Sequence, residues 1–261
     1  MSETEQGDDT ATDGTGVETE TVDVCIVGAG PAGLTAGIFT ARAGLDTLVL
    51  RAGEPILRRN AHLENVPGFP AGVNSRLFLE MTGEQADRNG CERRDGTVTS
   101  ISDSENGLLV ETAENAAFWA RYVICTSWAD TDYLEDIENV GLMKRGSKTY
   151  VDVDSDGWTG VDGLYAAGRI AGEPHQTVVA AGDGASVALT VIHDSDVPFY
   201  HDWVVPENYF TGRGRDVPPG CEEIDEKERR RRENESMEVM QAYFSESHPD
   251  EPTQHPSVRE E

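Results

Sequence analysis

The residues of this 261-residue chain with the clearest chemical spacing are Gly28-Ala29-Gly30-Pro31-Ala32-Gly33. In a G-x-G-x-x-G turn the first glycine permits a tight reversal, the second lets backbone approach a pyrophosphate, and the third lets a helix lie close on the preceding strand. The pattern gains meaning only when a strand leads into it and a helix leaves it. Here the apolar run Val22 to Val27 leads in, an alanine-rich stretch follows to Ala43, Gly44 stops it, and a second apolar run spans Thr47 to Leu50. That order predicts a dinucleotide-binding β-α-β unit. Its helix, starting near Pro31, turns free N–H groups and a positive dipole end toward the phosphates.

Other reactive residue types are scattered. Cys25, Cys91, Cys125 and Cys221 form no C-x-x-C and no metal-ligand spacing, which suits a reduced intracellular setting. Cys25 falls inside a strand and reads as core, and Glu222 and Glu223 disfavour a thiolate at Cys221. His193, His201, His248 and His255 lack metal-like spacing, so no metal site is expected. Arg229 to Arg232 read as a solvated helix face paired with flanking glutamates.

The positioning elements follow in order. Residues 1–20 carry seven carboxylates and no Lys or Arg; they read as a disordered acidic tail rather than a secretory leader. After the β-α-β start, a polar bend holds Arg51, Arg58 and Arg59 and leads into His62 to Pro70. Asn74 or Ser75 caps a helix to about Asn89, with Leu77, Phe78, Met81 and Gln85 on one face and Gly90 at its end. Thr97–Ser102, Leu108–Thr112 and Phe118–Thr126 read as a three-stranded meander. Residues 127–160 read as irregular, apart from a short strand at Tyr150–Val153. Gly163–Ala167 is a buried strand ending in Gly168, and a helix from Gln176 to His193 packs through Val178, Val179, Ala181, Ala185, Val187 and Leu189. Residues 195–261 differ in kind: five aromatics between Phe199 and Phe210, then a helix from Glu222 to about Ser245 with Met237, Met240, Tyr243 and Phe244 at helical spacing.

Composition narrows the function. Forty-nine acidic against 21 basic residues give a net charge of −28, and Lys144, Lys148 and Lys227 are the only lysines. Such self-repulsion is screened at about 1 M salt, where the Debye length is about 3 Å, so the charge reads as adaptation to a salt-rich cytoplasm. It argues against nucleic-acid and anionic-membrane partners, which require basic patches. No apolar run approaches the length of a membrane span.

Three separated stretches resemble one family. Gly28–Gly33, Glu64–Pro70 (ENVPGFP) and Thr159–Leu189 (TGVDGLYAAGRIAGEPHQTVVAAGDGASVAL) are similar, in that order, to the FAD domain of the low-molecular-weight thioredoxin reductases; Glu84-Gln85-Ala86 with Gly90 fits the same family. The resemblance covers roughly Val22 to Ile192 and implies an α/β, three-layer Rossmann-like FAD/NAD(P)-binding domain: a parallel sheet, helices on one face, a β-meander on the other. It implies FAD as cofactor, with the pyrophosphate at Gly28, Gly30, Pro31, Ala32 and Gly33, Gly168 at the end of the late strand, and the flavin near Asn65 and Gln176. At Gln176 the helix N-terminus stabilises charge developing on the flavin during reduction, the alternative being an ordinary helix start. His175 is either a proton donor beside that ring or a solvent-facing histidine. Cys125 is either a thiol near the cofactor or an inert buried one.

Three departures stand beside the matches. Where the family has an acid at the end of the second strand to accept hydrogen bonds from the ribose, this chain has Arg51, and where it has an acid after the Ala-Ala-Gly, this chain has Arg169. Both replace acceptors by donors that suit phosphate oxygens, held either by FAD or by a ligand with an extra phosphate. The family's NADPH domain would fall between Thr126 and Gly163, yet only 36 residues separate them, with no second glycine fingerprint and no redox C-x-x-C; a domain needs about 50. The expectation is a cytoplasmic FAD-dependent oxidoreductase, not a complete thioredoxin reductase, reduced by NAD(P)H directly or by a small-molecule or protein redox partner, and a homodimer. Its domains would be the tail 1–20, the FAD domain 21–194 and the extension 195–261. The rivals are a catalytically silent nucleotide-binding module and a single-domain enzyme of the thiazole-synthase type.

Overall fold

Strands and helices alternate through the first half of the chain, and in the computed structural model, which describes residues 11–12, 18–104, 107–135, 137–255 and 257–258, they build one layered body. The elements are β1 (Ala11–Thr12), β2 (Glu18–Val27), α1 (Pro31–Arg42), β3 (Thr47–Arg51), α2 (Ser75–Arg88), β4 (Glu92–Asp95), β5 (Val98–Ser104), β6 (Gly107–Thr112), β7 (Ala117–Cys125), β8 (Leu142–Arg145), β9 (Lys148–Val151), β10 (Leu164–Ala166), α3 (Thr177–Asp194), β11 (Trp203–Pro206), β12 (Cys221–Ile224) and α4 (Glu226–Tyr243).

The main sheet runs β4-β3-β2-β7-β6-β5, with β10 beside the end of β7. β4, β3, β2, β7 and β10 are mutually parallel, and β5, β6 and β7 form the antiparallel meander. β7 joins the two: Ala117 to Ala120 pair with β6, and Val123 to Cys125 pair with β10. Because side chains alternate across a strand, Val24 and Ile26 of β2 face a core shared with α1, α2 and α3, while Cys25 and Val27 face a second core with the meander. Both faces of β2 are buried, as a covered parallel strand requires. Each fully buried Leu or Ile of these cores contributes roughly 2 kcal/mol of burial free energy. This is the expected three-layer arrangement.

Particular elements depart from expectation. β2 begins at Glu18 and β1 pairs with it, so part of the stretch read as an acidic tail belongs to the sheet; residues 1–10 and 13–17 lie outside the described residues. The stretch read as irregular holds an antiparallel hairpin, β8–β9. On α3, Val178 and Val179 are exposed, and the buried line is Thr177, Gly184, Val187, Ala188, Val191 and Ile192. After Ser195, β11 and β12 form a small parallel pair before α4 starts at Glu226. No residue of α4 is buried, and Met237, Met240 and Phe244 are exposed. Polar contacts tie this segment to the body: Arg42 with Asp202, Arg88 with Glu235, Tyr243 with Glu84, His248 with Glu80 and Arg58 with Asp250.

Candidate functional site

Parallel strands in an open α/β sheet end together, and ligands bind in the crevice beyond their carboxyl ends. Here β2, β3 and β7 end at a cleft of about 360 Å³, whose wall includes the glycine turn, Arg51, Thr126, Trp128, Arg169, His175 and Gln176. Among the described residues none beyond 194 lines it, and the aromatic segment Phe199–Phe210 does not close over this cleft.

The three turn glycines have different reasons to be glycine. Gly28 has φ +114°, and a Cβ there would lie 2.9 Å from Thr126 Oγ1. A Cβ on Gly33 would lie 1.9 Å from the Gly28 carbonyl oxygen. Both are demands of the fold. Gly30 has an extended backbone with φ −82°, open to any residue, and a Cβ there would meet nothing within 4 Å. The protein itself gives Gly30 no reason to lack a side chain. Gly30 is also the N-cap of α1 with no side-chain cap, and Pro31 opens the helix, leaving the first N–H groups for a ligand.

The two arginines that replace acids both lie on the cleft. Arg51, the last residue of β3, bonds through Nε to Asp95 at 2.8 Å and is half-exposed. Arg169 donates to the Glu173 carbonyl at 2.9 Å and the Tyr150 hydroxyl at 2.6 Å, and its Nε is buried with no acceptor among the described residues. An unsatisfied buried guanidinium N–H is costly, and Arg76 Nε on α2 is in the same state. Gly168, at φ +75°, donates its N–H to Asp183 on α3 at 2.6 Å. Burial raises the Asp183 carboxyl above the usual range, against the opposing pull of that hydrogen bond.

At the far end, Asn65 Nδ2 donates to Gln176 Oε1 at 2.7 Å, joining the two residues that the resemblance puts beside the flavin. Gln176 is the N-cap of α3, again without a side-chain cap. His175 stands edge-on to Trp128 with ring centroids 4.2 Å apart. Its ring is exposed, and partial burial, then Arg169 and Lys148, lower its pKa. Cys125 is fully buried and burial pushes its thiol up to about 12; of the two readings for it, the geometry matches the inert one.

Sequence reasoning passed over Thr126 and Trp128. The Thr126 hydroxyl lies 2.9 Å from the carbonyls of both Val27 and Gly28, clamping β7 to the turn. Trp128 lies in the left-handed region at φ +62°, where a bulky residue is an outlier of the kind that clusters at functional sites. A threonine ending a strand against a glycine turn could have been noticed; nothing in the sequence marks a positive φ at a tryptophan. Among the described residues no His, Cys, Asp and Glu gather as a metal site, and no helix is long and apolar enough to cross a membrane.

A family profile described as an FAD binding domain matches residues 21–62, from β2 through the turn after β3. A bifunctional thioredoxin reductase/thioredoxin of Mycobacterium leprae is 34% identical over 142 residues, 54% of this chain and 31% of that protein. The thioredoxin reductase of Listeria monocytogenes is 36% identical over 131 residues, 49% of this chain and 40% of that protein. The chain thus matches well under half the length of either relative. Among solved structures, a thioredoxin reductase from Gloeobacter violaceus superposes with a TM-score of 0.63 at 20% identity, over 70% of this chain and 100% of that one. That of T. acidophilum gives 0.61 at 19%, over 67% and 99%. At such identities the structures speak for the fold, and the sequence matches speak for descent. Residues 21–62 thus match an FAD binding domain, and about half of the chain is similar in sequence to thioredoxin reductases.

Proposed function

We propose that the cleft holds FAD and that the chain is an FAD-dependent oxidoreductase, reduced by NAD(P)H directly or by a redox partner, without a nicotinamide-binding domain or redox disulfide of its own. The observation that carries this reading is Gly30, a glycine the fold does not need, at the open N-terminus of α1. The uncapped first turn of α1 receives the pyrophosphate, helped by the donors of Arg51. The Asn65–Gln176 pair and the N-terminus of α3 hold the flavin end, where the helix dipole favours negative charge. His175 takes part as a hydrogen-bonding partner of the ligand. Bound FAD would supply two-electron chemistry, accepting a hydride from the donor and passing electrons on.

Between Cys125 and Leu164 the described residues contain a 3-10 turn and the β8–β9 hairpin, which supports an electron donor that arrives without a second nucleotide fold. The exposed rings of Tyr200, Trp203 and Tyr209 support a homodimer, and light scattering measures it. The deciding experiment is the absorption spectrum of protein purified in high salt, followed by anaerobic addition of NADPH. Oxidised-flavin bands that bleach on addition are expected. A protein that neither contains FAD nor gains thermal stability from it sinks the reading, and one that binds FAD but is never reduced is the silent module instead.

A further inference from the structure

In this acidic molecule most surface arginines are matched by carboxylates: Arg42 by Asp202, Arg88 by Glu84, Arg94 by Glu20, Arg231 by Glu228. One face of the β8–β9 hairpin breaks that pattern. Arg145 opposes Lys148 and Met143 opposes Tyr150 in the antiparallel register, which puts all four on one face. The Arg145 guanidinium lies 5.9 Å from the Tyr150 ring centre. Arg169 lies 4.9 Å from the same centre. The Lys148 ammonium lies 4.6 Å from the ring centre of Trp128, on the cleft wall. Among the described residues none of the three cations pairs with a carboxylate, and Arg169 Nε is buried without an acceptor. The Arg169 and Lys148 charges already bear on His175. Three cations seated on aromatic faces beside a cleft, in a chain of net charge −28, leave their counter-charge to a ligand.

We propose that Arg145, Lys148 and Arg169 form an anion-binding subsite at the rim of the cleft, which holds the phosphates of a nicotinamide dinucleotide. The naming of that donor rests on the FAD reading above. A guanidinium fork offers paired donors and a lysine a point charge, the two ways in which proteins grip phosphate. The subsite adjoins His175 and Gln176, the end of the cleft assigned to the flavin. The described residues between β7 and β10 hold no second glycine turn for the donor's phosphates, and this subsite takes that role.

The test compares wild type, the double variant R145E/K148E, and K144E, by titration with NADPH and separately with FAD at the lowest KCl that keeps the protein folded. Lys144 opposes Thr149 and lies on the other hairpin face, so K144E changes charge without touching the subsite. For flavin-loaded protein the double variant is expected to weaken NADPH binding by about tenfold or more and to leave FAD affinity nearly unchanged. K144E should alter neither, and inorganic pyrophosphate should compete with NADPH on the wild type. Equal loss of FAD affinity would mean that the cations serve the flavin's own phosphates and would overturn the proposal. Unchanged NADPH binding, or an equal effect of K144E, would overturn it too. If the chain binds no FAD, the functional reading fails separately, and the same NADPH comparison on flavin-free protein decides the subsite.

Discussion

The glycine turn and the segment after Ser195 are built on opposite principles. In the turn, backbone meets backbone at distances a single methyl would violate: Gly33 against the Gly28 carbonyl, Gly28 against Thr126. In the later segment, α4 buries nothing and is held by polar pairs to α2 and by its own i,i+4 ladder, Arg229–Glu233, Arg230–Glu226 and Arg232–Glu228. Exposed pairs of that kind contribute about 0.3–0.5 kcal/mol each. Gly28 and Gly33 tolerate almost no change because each is fixed by contact, and α4 tolerates much because no single contact holds it.

The sharpest way to break the comparison lies within the turn itself. Gly33→Val should abolish folding, since its Cβ would overlap the Gly28 oxygen at 1.9 Å. Gly30→Val should leave the melting temperature within about a degree and eliminate FAD binding, because its side chain would stand where the pyrophosphate approaches. Circular dichroism and flavin titration on the two proteins check both. Gly30→Val that binds FAD normally would show that the open space at Gly30 serves nothing.

The second largest effect concerns charge. With a net charge of −28, the melting temperature should climb steeply as KCl rises from low to molar concentration, because screening relieves self-repulsion. The gain should come from the acidic body as a whole, since salt weakens the α4 ion pairs at the same time. A flat salt dependence would show that the structure already compensates its carboxylates.

The contrast also explains what could be read in advance. The β-α-β start, the meander and the Asn74 cap of α2, which accepts from the Arg76 and Leu77 amides, are local patterns of period and capping, and such signals survive in a bare sequence. The hairpin β8–β9 was half legible: its second strand overlaps the run read at Tyr150–Val153, but Leu142-Met143-Lys144-Arg145 places apolar and charged residues in pairs rather than in alternation, so the first strand lacks the period-two signal. Met237, Met240 and Phe244 stand at helical spacing and are exposed in the single chain: periodicity tells which residues share a face and not what covers it. The cleft's glycine turn was legible because G-x-G-x-x-G is contiguous. The cation cluster was not, since Arg145, Lys148 and Arg169 meet only through tertiary packing on Tyr150 and Trp128.

A third test removes one side of the comparison. Truncation before residue 196 should lower the melting temperature by roughly 5 °C or more, since it strips the Tyr243–Glu84 and His248–Glu80 contacts and the packing of Phe244 on Phe69. FAD affinity should stay unchanged, because no described residue beyond 194 lines the cleft. A parallel loss of FAD affinity would mean that the segment supports the cleft through α2.

The smallest effect sits inside the late segment. The Glu223 carboxylate accepts from the Asn208 amide at 3.1 Å, the Thr211 amide at 3.0 Å, the Thr211 hydroxyl at 2.7 Å and the Phe210 amide. Burial works to raise its pKa, but the four hydrogen bonds outweigh it and hold the group at about 2. A carboxyl depressed in the folded state stabilises fully above its ordinary value near 4.5, and the contribution fades as pH falls from there toward 2. Trp203 packs edge-on against Tyr209 and Phe210 at 5.1 and 6.2 Å, so its fluorescence reports whether this turn is intact. Acid titration should therefore loosen the Trp203 environment below about pH 4, before the sheet unfolds, and Glu223→Gln should show the loosened spectrum already at neutral pH. If Trp203 and the sheet melt together in both proteins, the carboxylate is incidental, and the late segment is as tightly coupled to the body as the glycine turn is.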